Sequence, residues 1–149
     1  MTAVVAVLDA SIAAAWFLPD QASEVSDNAY ALMRRGTLVL HAPELWLWQC
    51  GNIVANSVKW RRLSVADALL AWSAVDSIRS KIELLPPEPA QAASALPIAL
   101  EHGLSLYDAA YLRLAISLQI PLLTADRALA RAASANAVPA LTLEDLAWA

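Results

Sequence analysis

Apolar residues in this chain fall into short continuous runs separated by longer stretches of helical spacing, a rhythm that predicts alternating strands and helices. Val4 to Leu8 is a valine-rich run that predicts a buried strand, and Asp9-Ala10-Ser11 with the alanines beyond it predicts a helix directly after. Ser23 to Arg35 carries helical spacing, stops at Gly36, and places Arg34 and Arg35 where cations complement a helix C-terminus. Thr37 to His41 predicts the second strand. Pro43 is expected to open a third helix reaching Lys59, because a proline costs little in a first turn. Ser64, with Asp67 three residues on, predicts the cap of a fourth helix.

Lys81 to Leu85 predicts a third strand ended by Pro86-Pro87, and Glu88 to His102 a helix terminated by Gly103. Ser105 to Gln119 reads as the clearest amphipathic helix, with Leu106, Ala110, Leu114 and Leu118 as its apolar stripe. Ile120 to Thr124 is the next expected strand, with Asp126 just past its end. Arg127 to Ser134 is a short helix, Val138 to Leu141 a last strand, and Thr142 to Asp145 a terminal turn. Strands separated by helices imply βαβ units, hence a helix-rich, three-layer α/β/α fold around a central parallel sheet. The length, 149 residues without repeat or linker, predicts a single domain over 1–149. In such sheets ligands bind beyond the carboxyl ends of the strands, and both Asp9 and Asp126 follow a predicted strand.

Composition sharpens this outline. Apolar types make up 59% of the chain, more than one small core hides, so a partner surface or homodimer interface is expected to cover the surplus. Cys50 is the only cysteine, which excludes an intrachain disulfide and makes a reducing cytoplasm the default. The run from Ala3 to Leu18 lacks a basic flank and carries Asp9, so it is read as strand and helix rather than as an export signal. No window is apolar enough to predict a bilayer span. The net charge of −4 opposes non-specific nucleic-acid binding, so any phosphate contact must come from local clusters: Lys59-Arg61-Arg62, Arg34-Arg35, or Arg127 with Arg131. Each of these also reads as a solvated helix end.

Three acids carry the chemistry. Asp108 lies near the start of the amphipathic helix, Asp9 follows the first strand and Asp126 the fourth. Singly, each could be a helix cap or a carboxylate favoured by the helix dipole. Together, at one edge of a parallel sheet, they would repel one another unless a cation neutralised them. Mg²⁺ fits oxygen ligands and keeps waters that leave room for a phosphate and an attacking water, which points to phosphodiester hydrolysis; Mn²⁺ can substitute. The lone cysteine and the absence of a His-rich cluster argue against zinc, leaving His41 and His102 as structural or exposed residues.

The segments Val7-Leu8-Asp9-Ala10-Ser11 with Trp16-Phe17-Leu18, Ala42-Pro43-Glu44-Leu45 leading to Asn52, Leu106-Tyr107-Asp108-Ala109-Ala110-Tyr111-Leu112, and Leu123-Thr124-Ala125-Asp126 resemble, in order, the signatures of VapC-type PIN domains. The resemblance spans nearly the whole chain. It implies a PIN-like fold and a ribonuclease toxin, usually a homodimer, restrained by a small antitoxin whose peptide arm crosses the active site. It also implies that Asp9, Asp108 and Asp126 are three of the metal-binding acids, supported by Ser11 and Thr124. Where the family has a fourth acid, six residues beyond the helix-opening proline, this chain has Gln49. Glu44 is a poor substitute, since five residues along a helix rotate the side chain roughly 140° away. Gln49 is therefore expected at the catalytic position, with weakened metal binding and turnover that Gln49→Glu would restore.

The tryptophans at 46, 48, 60 and 72 could stack on RNA bases or fill a core or dimer contact, and Tyr107 and Tyr111, one turn apart, read as packing residues. Two phosphoryl-transfer alternatives lack parts. An aspartyl-phosphate phosphatase would want an acid where Ser11 stands, and a receiver domain a lysine after a late strand, whereas Lys59 and Lys81 lie elsewhere. The stronger rival is a PIN fold that binds or regulates without cleaving. Gln49 supports it; retention of the three repelling acids opposes it.

Overall fold

The computed structural model describes residues 2–148. Five strands alternate with helices: β1 (Val4–Leu8), α1 (Ala10–Phe17), α2 (Glu24–Arg34), β2 (Leu38–Pro43), α3 (Leu45–Lys59), α4 (Val65–Arg79), β3 (Glu83–Leu85), α5 (Pro89–His102), α6 (Leu106–Leu118), β4 (Leu122–Leu123), α7 (Arg127–Ala135) and β5 (Ala140–Leu141). Short 3-10 turns follow α1 at Pro19–Gln21 and close the chain at Glu144–Trp148. The strands form one parallel sheet in the order β3-β2-β1-β4-β5. Crossovers that step outward from β1 to β3 carry α1–α4, and those that return through β4 to β5 carry α5–α7. A right-handed sense puts the two sets on opposite faces, giving the expected α/β/α layers. In keeping with this, α1 packs on α2, α3 and α4, while α6 packs on α5 and α7.

Ala6, Val7, Leu8, Leu40, Ala42, Leu122 and Leu123 are buried to the last few per cent, as strands covered on both faces require. Local chemistry sets most element starts. Ser23, Ser64 and Ser105 each accept a hydrogen bond from the N–H three residues on, and Gly103 takes a left-handed conformation (φ 65°) to end α5. Gly51 is a glycine for another reason: a Cβ there would stand 3.2 Å from the Trp72 ring, so the bare backbone lets α4 lie close against α3.

Two expectations need correction. Pro43 does not open α3; it ends β2, paired with Leu85 of β3, and the helix starts after Glu44. The ladder on the sheet claims a proline whose missing N–H it can spare at a strand end. The stripe Leu106-Ala110-Leu114-Leu118 is not the face α6 turns to the core. Leu106 and Leu118 are exposed, whereas Ala109, Tyr111, Leu112 and Ala115 are wholly buried. A helix packed on a sheet on one side and on α5 on another buries more than one stripe, so periodicity alone cannot choose between them.

Candidate active site

The strand order reverses between β1 and β4, and at such a switch point the two crossovers leave in opposite directions and open a crevice at the carboxyl ends of the strands. Asp9 stands on one side of that crevice, one residue beyond β1. Its backbone N–H bonds the Leu123 carbonyl (3.0 Å) and continues the pairing with β4. On the other side, Thr124, Ala125 and Asp126 form the turn from β4 into α7.

Two hydroxyls clamp these walls together. Ser11 Oγ donates to Asp9 Oδ2 at 2.7 Å and accepts from the Ala125 N–H at 3.1 Å. Thr124 Oγ1 donates to the same oxygen at 2.8 Å and accepts from the Asp126 N–H at 3.0 Å. Each hydroxyl uses its one proton on the carboxylate and a lone pair on the turn. Asp9 is thereby fixed in position although only 5% of it is exposed. Burial pushes its carboxyl above the ordinary value against the pull of these hydrogen bonds, and the charge of Asp126 adds to the rise.

Asp126 is the one acid of the three that caps a helix through its side chain, Oδ1 accepting the Leu129 N–H at 3.1 Å. Asp9 precedes α1 without a side-chain cap bond, and at α6 the cap is Ser105 rather than Asp108. Asp108 is partly buried. Its carboxyl is raised by burial first, then by the charges of Asp9 and Asp126. The three carboxylates therefore share one field, and among the described residues none of them has a Lys, Arg or His ion-pair partner. No three His, Cys, Asp or Glu side chains among the described residues stand close enough to enclose a metal ion by themselves. An all-oxygen set of unpaired acids around a crevice suits a cation that keeps part of its water shell, as Mg²⁺ does, and not one that demands a closed cage.

Gln49, on the partly buried side of α3, reaches the site through a residue assigned above to packing. Tyr111 is wholly buried, and its hydroxyl donates to Gln49 Oε1 at 2.6 Å. Burial holds that phenol in its neutral form, reinforced by the charges of Asp9 and Asp108. A sequence signal for it existed: Tyr111 lies three residues from Asp108, about 60° away around the helix. Cys50 is buried below the crevice, and burial together with the Asp9 charge keeps its thiol protonated. Glu44 is exposed at the start of α3 and is not among the charges acting on Asp9 or Asp108. It lines a neighbouring apolar cavity of about 210 Å³ with Leu85, Tyr107 and Leu114, to which none of the three aspartates contributes.

The remaining candidates separate by exposure. Trp46 is in the core, while Trp48, Trp60 and Trp72 are exposed. His41 Nδ1 lies 3.2 Å from Glu83 Oε2 on the neighbouring strand without a hydrogen bond, and His102 Nε2 lies 3.1 Å from Asn136 Nδ2. Of the basic clusters, Arg62 pairs with Asp20, whereas Arg127 and Arg131 lie exposed on α7. No helix among the described residues is long and apolar enough to cross a membrane.

The family model described as PIN domain matches residues 6–135. The protein named Ribonuclease VapC3 from Pyrobaculum aerophilum is 29% identical over 139 residues, covering 89% of this chain and 98% of that protein. Among solved structures, PAE2754 from Pyrobaculum aerophilum superposes with a TM-score of 0.74 at 24% identity over 96% of this chain and 86% of that one. FitAcB from Neisseria gonorrhoeae gives a TM-score of 0.66 at 16% identity over 95% of this chain and 99% of its own. VapBC2 from Rickettsia felis, bound to a DNA fragment from its promoter, gives 0.63 at 14% identity, over 93% of this chain and 98% of its own.

Proposed function

The chain belongs to the PIN domain family, and from that premise we propose that it is a metal-dependent endoribonuclease, the toxin of a toxin–antitoxin pair, with Asp9, Asp108 and Asp126 holding Mg²⁺ or Mn²⁺. One observation carries the proposal: a buried, doubly braced Asp9 shares the switch-point crevice with two further acids and no cationic partner among the described residues. The relative named as a ribonuclease supports the substrate class. When bound, the cation polarises the phosphoryl oxygen and makes water a better nucleophile at neutral pH.

The protein's part is to hold oxygen donors still. Asp9 is locked by Ser11 and Thr124. Asp126 has one oxygen committed to the start of α7, which leaves the other for the crevice. Asp108, the more open of the two raised carboxyls, marks the side from which phosphate and water enter. Gln49 adds no charge, so the cluster holds three acids, and its metal affinity is expected to fall below that of Gln49→Glu.

Cleavage of a mixed RNA should need Mg²⁺ or Mn²⁺, stop in EDTA, and fall on the order of a hundredfold or more in Asp9→Asn or Asp108→Asn. Equal cleavage by the parent in EDTA and by Asp9→Asn would end the proposal. A second reading, a PIN module that binds without cleaving, draws on the neutral side chain at Gln49. It predicts RNA binding with no metal-dependent products.

A homodimer and a small antitoxin are proposed partners, supported by exposed Trp48, Trp60, Leu69, Leu70 and Leu100. Light scattering should report twice the chain mass at micromolar concentration. The product of a short adjacent reading frame, co-expressed, should co-purify and suppress cleavage. We place the protein, as a single domain over 1–149, in the cytoplasm, as its lone buried cysteine suggests.

A further inference from the structure

Resting on the nuclease reading of the crevice, we propose that Gln49 is a substrate-binding residue whose amide nitrogen hydrogen-bonds the phosphate to be cleaved, and that Tyr111 is the positioning residue that turns it that way. An amide presents either an acceptor or a donor to a given neighbour, and what decides between them is the partner on its other side. Here that partner is the Tyr111 hydroxyl, 2.6 Å from Oε1. The hydroxyl has a single proton. The phenol commits it to Gln49.

Two consequences follow for the amide. Its oxygen is engaged and is a poor ligand for a cation. Its Nε2 makes no hydrogen bond among the described residues and is not sealed from solvent. A partly buried, unpartnered N–H₂ group next to Tyr111, whose hydroxyl lies in the field of Asp9 and Asp108, repels a metal ion and suits an anion. The need for such a donor is electrostatic. Three ionised aspartates carry three negative charges, and a phosphodiester brings another into the same crevice. A fourth acid at position 49 would deepen that repulsion, whereas an N–H donor to the phosphate offsets it through a charge-assisted hydrogen bond. Substrate contact thus falls to Gln49 of α3, held by Tyr111 of α6, while the cation falls to Asp9 and Asp126 beyond β1 and β4 together with Asp108 at the start of α6.

The test measures the two ligands separately. A fluorescein-labelled mixed-sequence single-stranded RNA is titrated by anisotropy in EDTA, Mn²⁺ is titrated calorimetrically without RNA, and kcat and KM are then measured with both. Gln49→Met, which keeps length but removes the donor, should weaken RNA binding in EDTA roughly tenfold and raise KM with little change in Mn²⁺ affinity. Gln49→Glu should weaken RNA at least as much while tightening Mn²⁺, so that kcat at saturating metal rises together with KM. Tyr111→Phe, which loses only the hydroxyl, should follow Gln49→Met in RNA affinity and KM, with Mn²⁺ affinity kept within about twofold. The inference is overturned if both Gln49 variants bind RNA in EDTA like the parent, or if Tyr111→Phe loses Mn²⁺ affinity as much as RNA affinity. Gln49 is on a partly open face, so its variants report even if Tyr111→Phe fails to fold. Asp9→Asn separates this from the underlying reading. If it cleaves and binds Mn²⁺ like the parent, the nuclease assignment falls, while RNA affinity in EDTA still reports on Gln49.

Discussion

The two faces of α3 meet opposite environments. Its inner side sends Trp46 into the core at 0% exposure and Gln49 onto the Tyr111 hydroxyl, by a crevice where Asp9 is buried and braced and the three acids have no cationic partner among the described residues. Its outer side carries Trp48 at 77% exposure beside Trp72 of α4, with Leu69 and Leu70 further along that helix. Both regions are out of balance in isolation. Among the described residues the crevice holds like charges with nothing opposite, and the outer face holds apolar surface with nothing over it. Folding stability is lowered by the first and gains nothing from the second, so each is better explained by what binds there than by what it does for the chain alone. The proposed remedy differs in kind: a cation and an anionic substrate for one, another apolar surface for the other.

The largest expected effect is on the inner face. Trp46→Ala should cost about 3–5 kcal/mol in a denaturant melt, because it empties a fully buried site. Its indole N–H has no hydrogen-bond partner among the described residues, so Trp46→Phe should cost clearly less than the alanine change. An equal cost for both would mean that the nitrogen is satisfied after all. Asp9→Asn comes next, with cleavage reduced on the order of a hundredfold or more. Without metal that variant should be at least as stable as the parent, since the amide keeps an acceptor for Ser11 and Thr124 while removing a charge. A variant that loses stability as well as activity would show that Asp9 is chiefly a structural brace.

How far the sequence foretold these regions follows from what each interaction depends on. Strand and helix alternation is written locally, and with it came the parallel sheet and the placing of Asp9 and Asp126 just beyond strand ends. The roles of Ser23, Ser64 and Ser105 are equally local, a side chain and an N–H three residues apart. The start of α3 was misplaced because Pro43 suits a first helical turn as well as a strand end, and only pairing with Leu85, 42 positions away, decides between them. The core face of α6 was misjudged for a similar reason. Tyr111 is the instructive miss. Its hydroxyl bond to Gln49 joins residues 62 apart, and the one local signal, its place about 60° around α6 from Asp108, does not by itself distinguish it from a packing tyrosine.

Cations and protons sharpen the crevice side further. Mn²⁺ at a hundredfold over its dissociation constant should stabilise the native state by about 2.7 kcal/mol, roughly 5–10 °C in melting temperature for a domain of this size. Asp9→Asn and Asp108→Asn should each shrink that shift, and an unchanged melting temperature in the parent would remove the shared site. A smaller effect comes with pH. Asp9 and Asp108 are both raised by burial and by neighbouring acids, so the protons bind the folded state more tightly than the unfolded one. Their contribution to stability is fully present below the ordinary value of 3.8 and is lost as pH rises through the raised values. Metal-free parent should therefore gain stability relative to Asp108→Asn as pH falls from neutral toward 4, and the Mn²⁺ shift should shrink over the same window. Parallel pH profiles for the two proteins would show that Asp108 titrates normally.

The smallest effect on the chain itself belongs to the outer face. Trp48 is exposed and makes little of the core, so Trp48→Ser should change protomer stability by no more than about 0.5 kcal/mol. Its helix propensity differs little from that of serine, which leaves no other local reason for a change. Self-association is another matter. A large aromatic at the centre of an apolar patch is the type of residue that dominates protein–protein contacts, and truncating one commonly costs 2 kcal/mol or more of binding, about thirtyfold in affinity. Light scattering over a dilution series should then show the parent as a dimer at concentrations where Trp48→Ser is already monomeric, with the two melting alike once both are diluted to monomers. A parent that is monomeric throughout would remove the self-association proposal. Equal dimerisation by both proteins would move the interface away from Trp48, to the exposed side of α5 and α6 where Leu96, Leu100 and Leu106 lie.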